Sequence, residues 1–345
     1  MRKLATICRI DEIRPIPDAD KIECAVVGGW SVVVKSGEFK ANELAIYCEI
    51  DSWIPNDVAP FLTKPGHPVK EYEGIPGARL RTVKLRGQLS QGLLLPLEPI
   101  CSMIESFLFE GLDVSVPLGI VKYEPPLAAC LGGMAKGNFP TAVPKTDQER
   151  CQNLKREIEK WSASDLRWEI TEKLDGSSCT IYMDIESQLH VCSRNLDLTE
   201  TEGNSFWDIA NKYDLKTKML NFTGLAIQGE LVGPGIQGNR YNLSQHEFFV
   251  FDVYNTLTGK YLTGIERVAL ANLLGLKHCP VLFTSVYICS ELFGTGEIDG
   301  LLKFAEAKSV LNAKTEREGV VFKCESDPGI SFKAISNLFL LKGGD

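Results

Sequence analysis

Glu172-Lys173-Leu174-Asp175-Gly176-Ser177-Ser178 places an amine beside a carboxylate where an apolar run ends in a tight turn. Such an amine can serve as a covalent nucleophile once it loses its proton. A lone Lys-x-Asp-Gly is equally an ordinary exit from a strand. Four further stretches follow in order. Val191-Cys192-Ser193-Arg194-Asn195 puts an arginine at a strand end. Gln228-Gly229-Glu230-Leu231-Val232 sets a carboxylate inside an apolar strand, which is costly unless it meets a cation or a metal. Phe248-Phe249-Val250-Phe251-Asp252 brings Phe249 and Phe251 together. Glu318-Gly319-Val320-Val321-Phe322-Lys323 brackets another apolar strand with charge, and Ser331-Phe332-Lys333 comes after it. Each alone reads as edge decoration or core; the five in sequence point to a site.

The elements that must hold these residues differ between the two ends of the chain. Up to Glu124, short β-type runs recur about every ten residues: Cys24–Val27, Ser31–Val34, Leu44–Tyr47, Leu80–Lys84 and Leu93–Leu95. This spacing fits a small antiparallel barrel of the OB type. Residues 125–144, rich in proline and glycine, read as a linker. Beyond it, Thr146 and Glu149 form a capping-box pattern that predicts a helix over Gln148–Trp161. Further helices are expected at Phe206–Tyr213, Glu266–Leu274 and Gly300–Leu311. Strands are expected at Ile170–Lys173, Ser178–Asp184, Leu189–Ser193, Leu225–Leu231, Phe248–Tyr254, Gly319–Lys323 and Ile330–Ala334. The expected organisation is an OB-like domain over 1–124, a linker over 125–144 and an α+β domain over 145–345.

Taken together, the five stretches resemble the covalent nucleotidyltransferases, the polynucleotide ligases and capping enzymes. Lys173-x-Asp175-Gly176 looks like motif I, Arg194 motif Ia, Phe251 motif III, Glu318 motif IV and Lys333 part of motif V. Pro144–Arg150 and Gly229–Gly235 are similar to RNA ligases of the nick-sealing type. Only 12 residues follow Lys333, so the OB module is expected in front, as in the RNA ligase clade with an N-terminal OB domain. The fold class implied is α+β, an OB-like β-barrel followed by a nucleotidyltransferase (ATP-grasp-like ligase) domain built on antiparallel sheets with flanking helices.

The resemblance implies an ATP-dependent RNA ligase that joins 3′-OH and 5′-phosphate ends, in nicked duplex or structured RNA, through lysyl-AMP. DNA ligase, capping guanylyltransferase and a catalytically impaired RNA-binding relative are the alternatives. Lys173 would be the nucleophile, with Asp175, Glu230 and Glu318 holding Mg2+ or Mn2+ directly or through water. The adenylate would be held by Glu172, Arg194, Phe249, Phe251, Lys323 and Lys333. Ser331 departs from the pattern, since ligases often carry a lysine there.

Composition narrows the rest. Thirty-seven basic and 45 acidic residues give −8, which excludes a uniformly basic nucleic-acid coat. RNA contact is instead expected where no acid occurs from Ala78 to Pro96, at Arg79, Arg81, Lys84 and Arg86. Eleven scattered cysteines without a CxxC pair read as thiols of a reducing compartment. Four histidines leave no Cys/His metal cluster. A soluble intracellular monomer, cytoplasmic or nuclear, with no membrane segment or signal peptide, is the expectation.

Overall fold

The computed structural model describes residues 3–97, 108–124, 134–289, 293, 294 and 297–342. It divides into two compact units, residues 1–126 and 127–345. Residues 125–133 of the expected linker lie outside the described residues, and 135–138 form a strand of the second unit instead.

The described residues of the first unit are mainly β, with one 3-10 turn at Pro60–Leu62. Its central three-stranded sheet pairs Leu44–Cys48 with both Ala5–Arg9 and Leu93–Leu95. Glu12–Pro15, Ile22–Val27 and Trp30–Lys35 form a meander, and Ser52–Pro55 lies between Val121–Lys122 and Ile75–Arg79. Inward residues such as Ile7, Ile46, Cys48 and Ile54 close one core, the pattern expected of alternating strands. The strand expected at Leu80–Lys84 is broken. Leu80 exchanges backbone hydrogen bonds with Asp51 and Ser52, which ends one strand at Arg79, and a separate hairpin pairs Val83–Leu85 with Gln88–Ser90.

The second unit has two mainly antiparallel sheets. In the eight-stranded one, Ser177–Met183 and Glu247–Asn255 flank Leu225–Val232. In the five-stranded one, Trp168–Lys173 and Ser331–Ile335 flank Gly319–Cys324. Helices Ser205–Lys212 and Gly264–Leu274 bury apolar residues in the core of the larger sheet. Lys155–Ser162 and Ile298–Ala305 do so on the smaller. A third small cluster, including Leu174, Val232, Tyr241, Phe249 and Phe251, draws on both sheets and borders the site.

The helix expected over 148–161 starts late, and the one expected over 300–311 spans Ile298–Ala305. Thr146 and Glu149 do not cap: the Thr146 hydroxyl lies 3.1 Å from that of Ser178, and Glu149–Arg150 pairs in parallel with Phe332–Lys333. The α-helix begins only at Lys155, after a 3-10 turn. The capping box that does form is Thr263 with Glu266, and Gly275, at φ +76°, closes that helix in the left-handed region. The described cysteines are free thiols: Cys24, Cys48, Cys151, Cys179, Cys192, Cys279 and Cys324 are buried, Cys8 is half-buried and Cys289 exposed.

Candidate active site

Lys173 ends its strand opposite Gly319, so antiparallel register carries the next residue back, Glu318, to its side. The Lys173 ammonium lies 2.7 Å from Glu318 Oε1. Gly176 makes the turn after Lys173 possible: a Cβ there would sit 2.4 Å from the Leu231 carbonyl. The same close approach of strands brings Glu230, paired with Ser178, toward the lysine.

Three carboxylates thus meet one amine, and their electrostatics are strained. Burial alone would lower the Lys173 pKa, but Glu318, Glu230 and Asp175 outweigh it and raise it. The resting lysine is therefore an ammonium. Burial pushes the Glu230 carboxyl up to about 8, with Lys173 pulling the other way, and burial followed by Glu318 raises Asp175 to about 6. Glu318 Oε2 is buried without a hydrogen-bond partner among the described residues. An orphaned carboxylate oxygen among acids that resist ionisation fits a site completed by a further cation. Among the described residues no three acid, imidazole or thiol groups converge as a ready-made metal cage. The acids suit an ion that keeps several waters, as magnesium does.

The strand beside Glu230 carries a β-bulge. Gln228 pairs with Asp252 and Gly229 with Val250, leaving Phe251 as the extra residue. Phe251 is half-buried, while Phe249 is buried with Lys277 near its ring. Lys323 is enclosed in the fold. Its ammonium, pushed down in pKa by burial, donates to the bulged Phe251 carbonyl and to Asp252 Oδ1 at 2.5 Å. Behind it Arg267 pairs with Glu169 and hydrogen-bonds His278. Glu172 turns the other way: one oxygen accepts the Val310 N–H at 2.8 Å and the other is buried without a partner among the described residues.

Arg194 and Lys333 share one anion, Asp147, at 2.8 and 3.9 Å. Ser331, Lys333 and Lys323 fall on one face of adjacent strands, with Ser331 directly opposite Lys323. Two residues escaped the sequence reading. Arg240 Nε lies 2.9 Å from Asp175 Oδ2, and the Tyr241 hydroxyl accepts the Asp175 N–H at 2.6 Å. Their position just after Gly233-Pro234-Gly235 was the available signal.

In the first unit, Arg79 is not a surface cation. It is ion-paired with Asp51 at 2.8 Å and stacked over Tyr123. Arg81, Lys84 and Arg86 are exposed around the hairpin.

An RNA ligase family model matches residues 166–335, and an OB-fold domain model matches residues 4–97. Among solved structures, a Naegleria gruberi RNA ligase with PPi is 43% identical over 99% of this chain and 98% of that one, with a TM-score of 0.88. The chain belongs to the RNA ligase family. A glutamate-to-alanine variant of the Naegleria enzyme, with ATP and Mn, is 43% identical over the full length of both chains at TM-score 0.88. A lysine-to-alanine variant, also with ATP and Mn, is 44% identical over 98% of each chain at 0.87. No curated protein matches the chain. The ligase has an N-terminal OB-fold domain ahead of its catalytic unit, and no helix among its described residues is long and apolar enough to cross a membrane.

Proposed function

We propose that this ligase uses ATP and a divalent metal to join 3′-OH and 5′-phosphate RNA ends, sealing nicks in duplex or structured RNA as a monomer. The observation that carries the reading is the Lys173 ammonium held 2.7 Å from Glu318 with Glu230 and Asp175 close by. Glu318 is in place to take the proton that Lys173 must lose. The freed Nζ attacks the α-phosphorus of ATP; an N–P bond forms, the bond to the β-phosphate oxygen breaks and pyrophosphate leaves. An oxygen of the RNA 5′-phosphate then attacks the same phosphorus and returns the amine. Lastly the 3′-hydroxyl oxygen attacks the 5′-phosphorus, AMP departs and the phosphodiester is complete.

A divalent ion held through Asp175, Glu230 and Glu318, directly or through water, adds positive charge that disfavours the ammonium and neutralises charge at the α-phosphate. The other groups bind and orient. Phe251, half-buried on its bulge, supports stacking on adenine, and the Glu172 oxygen that lacks a partner among the described residues suits a donor on the base. Arg194 and Lys333, which now share Asp147, are suited to exchange that carboxylate for the sugar and phosphate of the nucleotide. Arg81, Lys84 and Arg86 would track the RNA backbone.

Incubation with radiolabelled ATP and manganese is expected to label the protein covalently, and Lys173→Ala to abolish the label. Labelling by GTP alone would select a capping activity. A panel of nicks with RNA or DNA on each side of the break tests the substrate, and equal sealing of all-DNA nicks would refute the RNA assignment.

A further inference from the structure

The loop from Gly233 to Asn242 has an unusual backbone. Gly233, Gly235, Gln237, Gly238, Asn239 and Asn242 all have positive φ, and three of them are not glycine. Such conformations persist only where surroundings over-determine them. Here Asn239 exchanges two hydrogen bonds with Leu243, and the Asn312 side chain donates to the Arg240 carbonyl at 3.0 Å. The loop presents Arg240 and Tyr241 to the turn that follows the nucleophile.

Both engage Asp175, one through its carboxylate and one through its backbone N–H. The Arg240 guanidinium also rests on the ring of Phe339, 4.4 Å from its centroid. Phe339 is buried in the last described helix, Asn337–Leu341, whose Ser336 cap donates its N–H to the Glu318 carbonyl at 2.8 Å. One short helix thus braces both Arg240 and the backbone of the residue that contacts Lys173. Asp175 lies two residues from Lys173, yet its ion pair is with Arg240, whereas the lysine pairs with Glu318.

We propose that Arg240 is a positioning residue that acts through Asp175: it holds that carboxylate off the Lys173 amine, so that Glu318 is the direct partner of the nucleophile. The inference rests on the ligase reading above. Without the guanidinium, Asp175 is free to turn onto the lysine and hold it as a second anion. The steps in which the Lys173 nitrogen attacks or leaves should suffer. The last step, in which that nitrogen does not react, should not.

The test compares wild type, Arg240→Met and Arg240→Lys in two single-turnover assays, formation of lysyl-AMP from ATP and sealing of a nick already adenylylated on its 5′-phosphate. Arg240→Met is expected to slow lysyl-AMP formation about 10- to 100-fold, the range seen when a partner behind a catalytic group is removed. KM for ATP should stay within about twofold, and sealing of the adenylylated nick within about threefold. Arg240→Lys should recover part of the loss. Phe339→Leu, which removes the ring under the guanidinium and keeps the charge, should give the same split in smaller measure if Arg240→Met folds poorly. Equal losses in both assays, a rise in KM for ATP, or no loss at all would overturn the proposal. If wild type itself forms no lysyl-AMP, the ligase reading fails instead.

Discussion

Replacing Lys323 by methionine separates a structural ammonium from a phosphate-binding one. Lys323 is 2% exposed, and its charge is divided between Asp252 and the bulged Phe251 carbonyl. Methionine preserves most of the alkyl volume. Among the described residues Asp252 would then keep only Arg267, at 3.9 Å, as a cationic partner, and Arg267 is already committed to Glu169. Breaking a buried pair from one side costs about 3–5 kcal/mol. The orphaned carbonyl would add about 1–3 kcal/mol by itself, but the two losses share one pocket and will not sum. A loss of about 4 kcal/mol in urea unfolding is therefore expected for Lys323→Met, within the range for a buried pair broken from one side. Adding Asp252→Asn should restore at least half of it by removing the unpaired charge. KM for ATP should rise in both variants, because the donor that fixes the bulge, and with it Phe251, is missing from each. A stability loss below about 1 kcal/mol accompanied by a large rise in KM would refute this reasoning. It would mean that the ammonium serves the nucleotide directly.

Four other outcomes are open to measurement. Glu230 binds its proton more tightly in the folded chain than its ordinary value of 4.5, at about 8, so the stability it contributes is full below the lower value and is lost as pH rises toward the higher. The melting temperature should fall between pH 5 and 8.5, less steeply in Glu230→Gln, and manganese should raise it most at the alkaline end; parallel curves for the two proteins would count against a protonated Glu230. Lys84→Ala with Arg86→Ala should flatten the salt dependence of single-strand RNA binding, lowering the slope of log K on log salt by about 1.4. Arg79→Ala should lower the melting temperature and leave that slope alone, since its guanidinium is engaged by Asp51 and Tyr123. Ser331→Lys should lower KM for ATP severalfold by placing a second ammonium beside Lys333, at a stability cost of about 0.5–1 kcal/mol from like charge opposite Lys323.

The strands that carry the site were legible because each is a short apolar run ended by a charge or a turn. Trp168–Lys173, Leu225–Val232 and Gly319–Cys324 lie within about two residues of expectation. Local chemistry misled at Thr146 and Glu149, where pairing of Glu149–Arg150 with a strand some 180 residues later wins over a cap worth about 1 kcal/mol. Charge was harder to read than pattern. Lys323 and Lys333 both look like strand lysines near a nucleotide, and only register and burial show that one is enclosed against Asp252. The ion pair of Arg79 was equally hidden, since its partner Asp51 is 28 residues away. Arg240 and Tyr241 had no periodic signal, because they act from an irregular loop on a turn 66 residues earlier.

The scattered thiols give both units a set of internal clocks. Cys24 and Cys48 are sealed in the first unit, and Cys151, Cys179, Cys192, Cys279 and Cys324 in the second, with Cys289 exposed as a reference. A reagent that alkylates thiols can reach a sealed one only when its surroundings open, so the order of labelling ranks local opening free energies. Cys179, on the strand that follows the Lys173 turn, and Cys279, against the Phe249 carbonyl, both lie close enough to Glu230 to feel its charge. Slower labelling of those two in the presence of ATP, with Cys24 and Cys48 unchanged, would time the closing of the catalytic unit residue by residue, without any added probe.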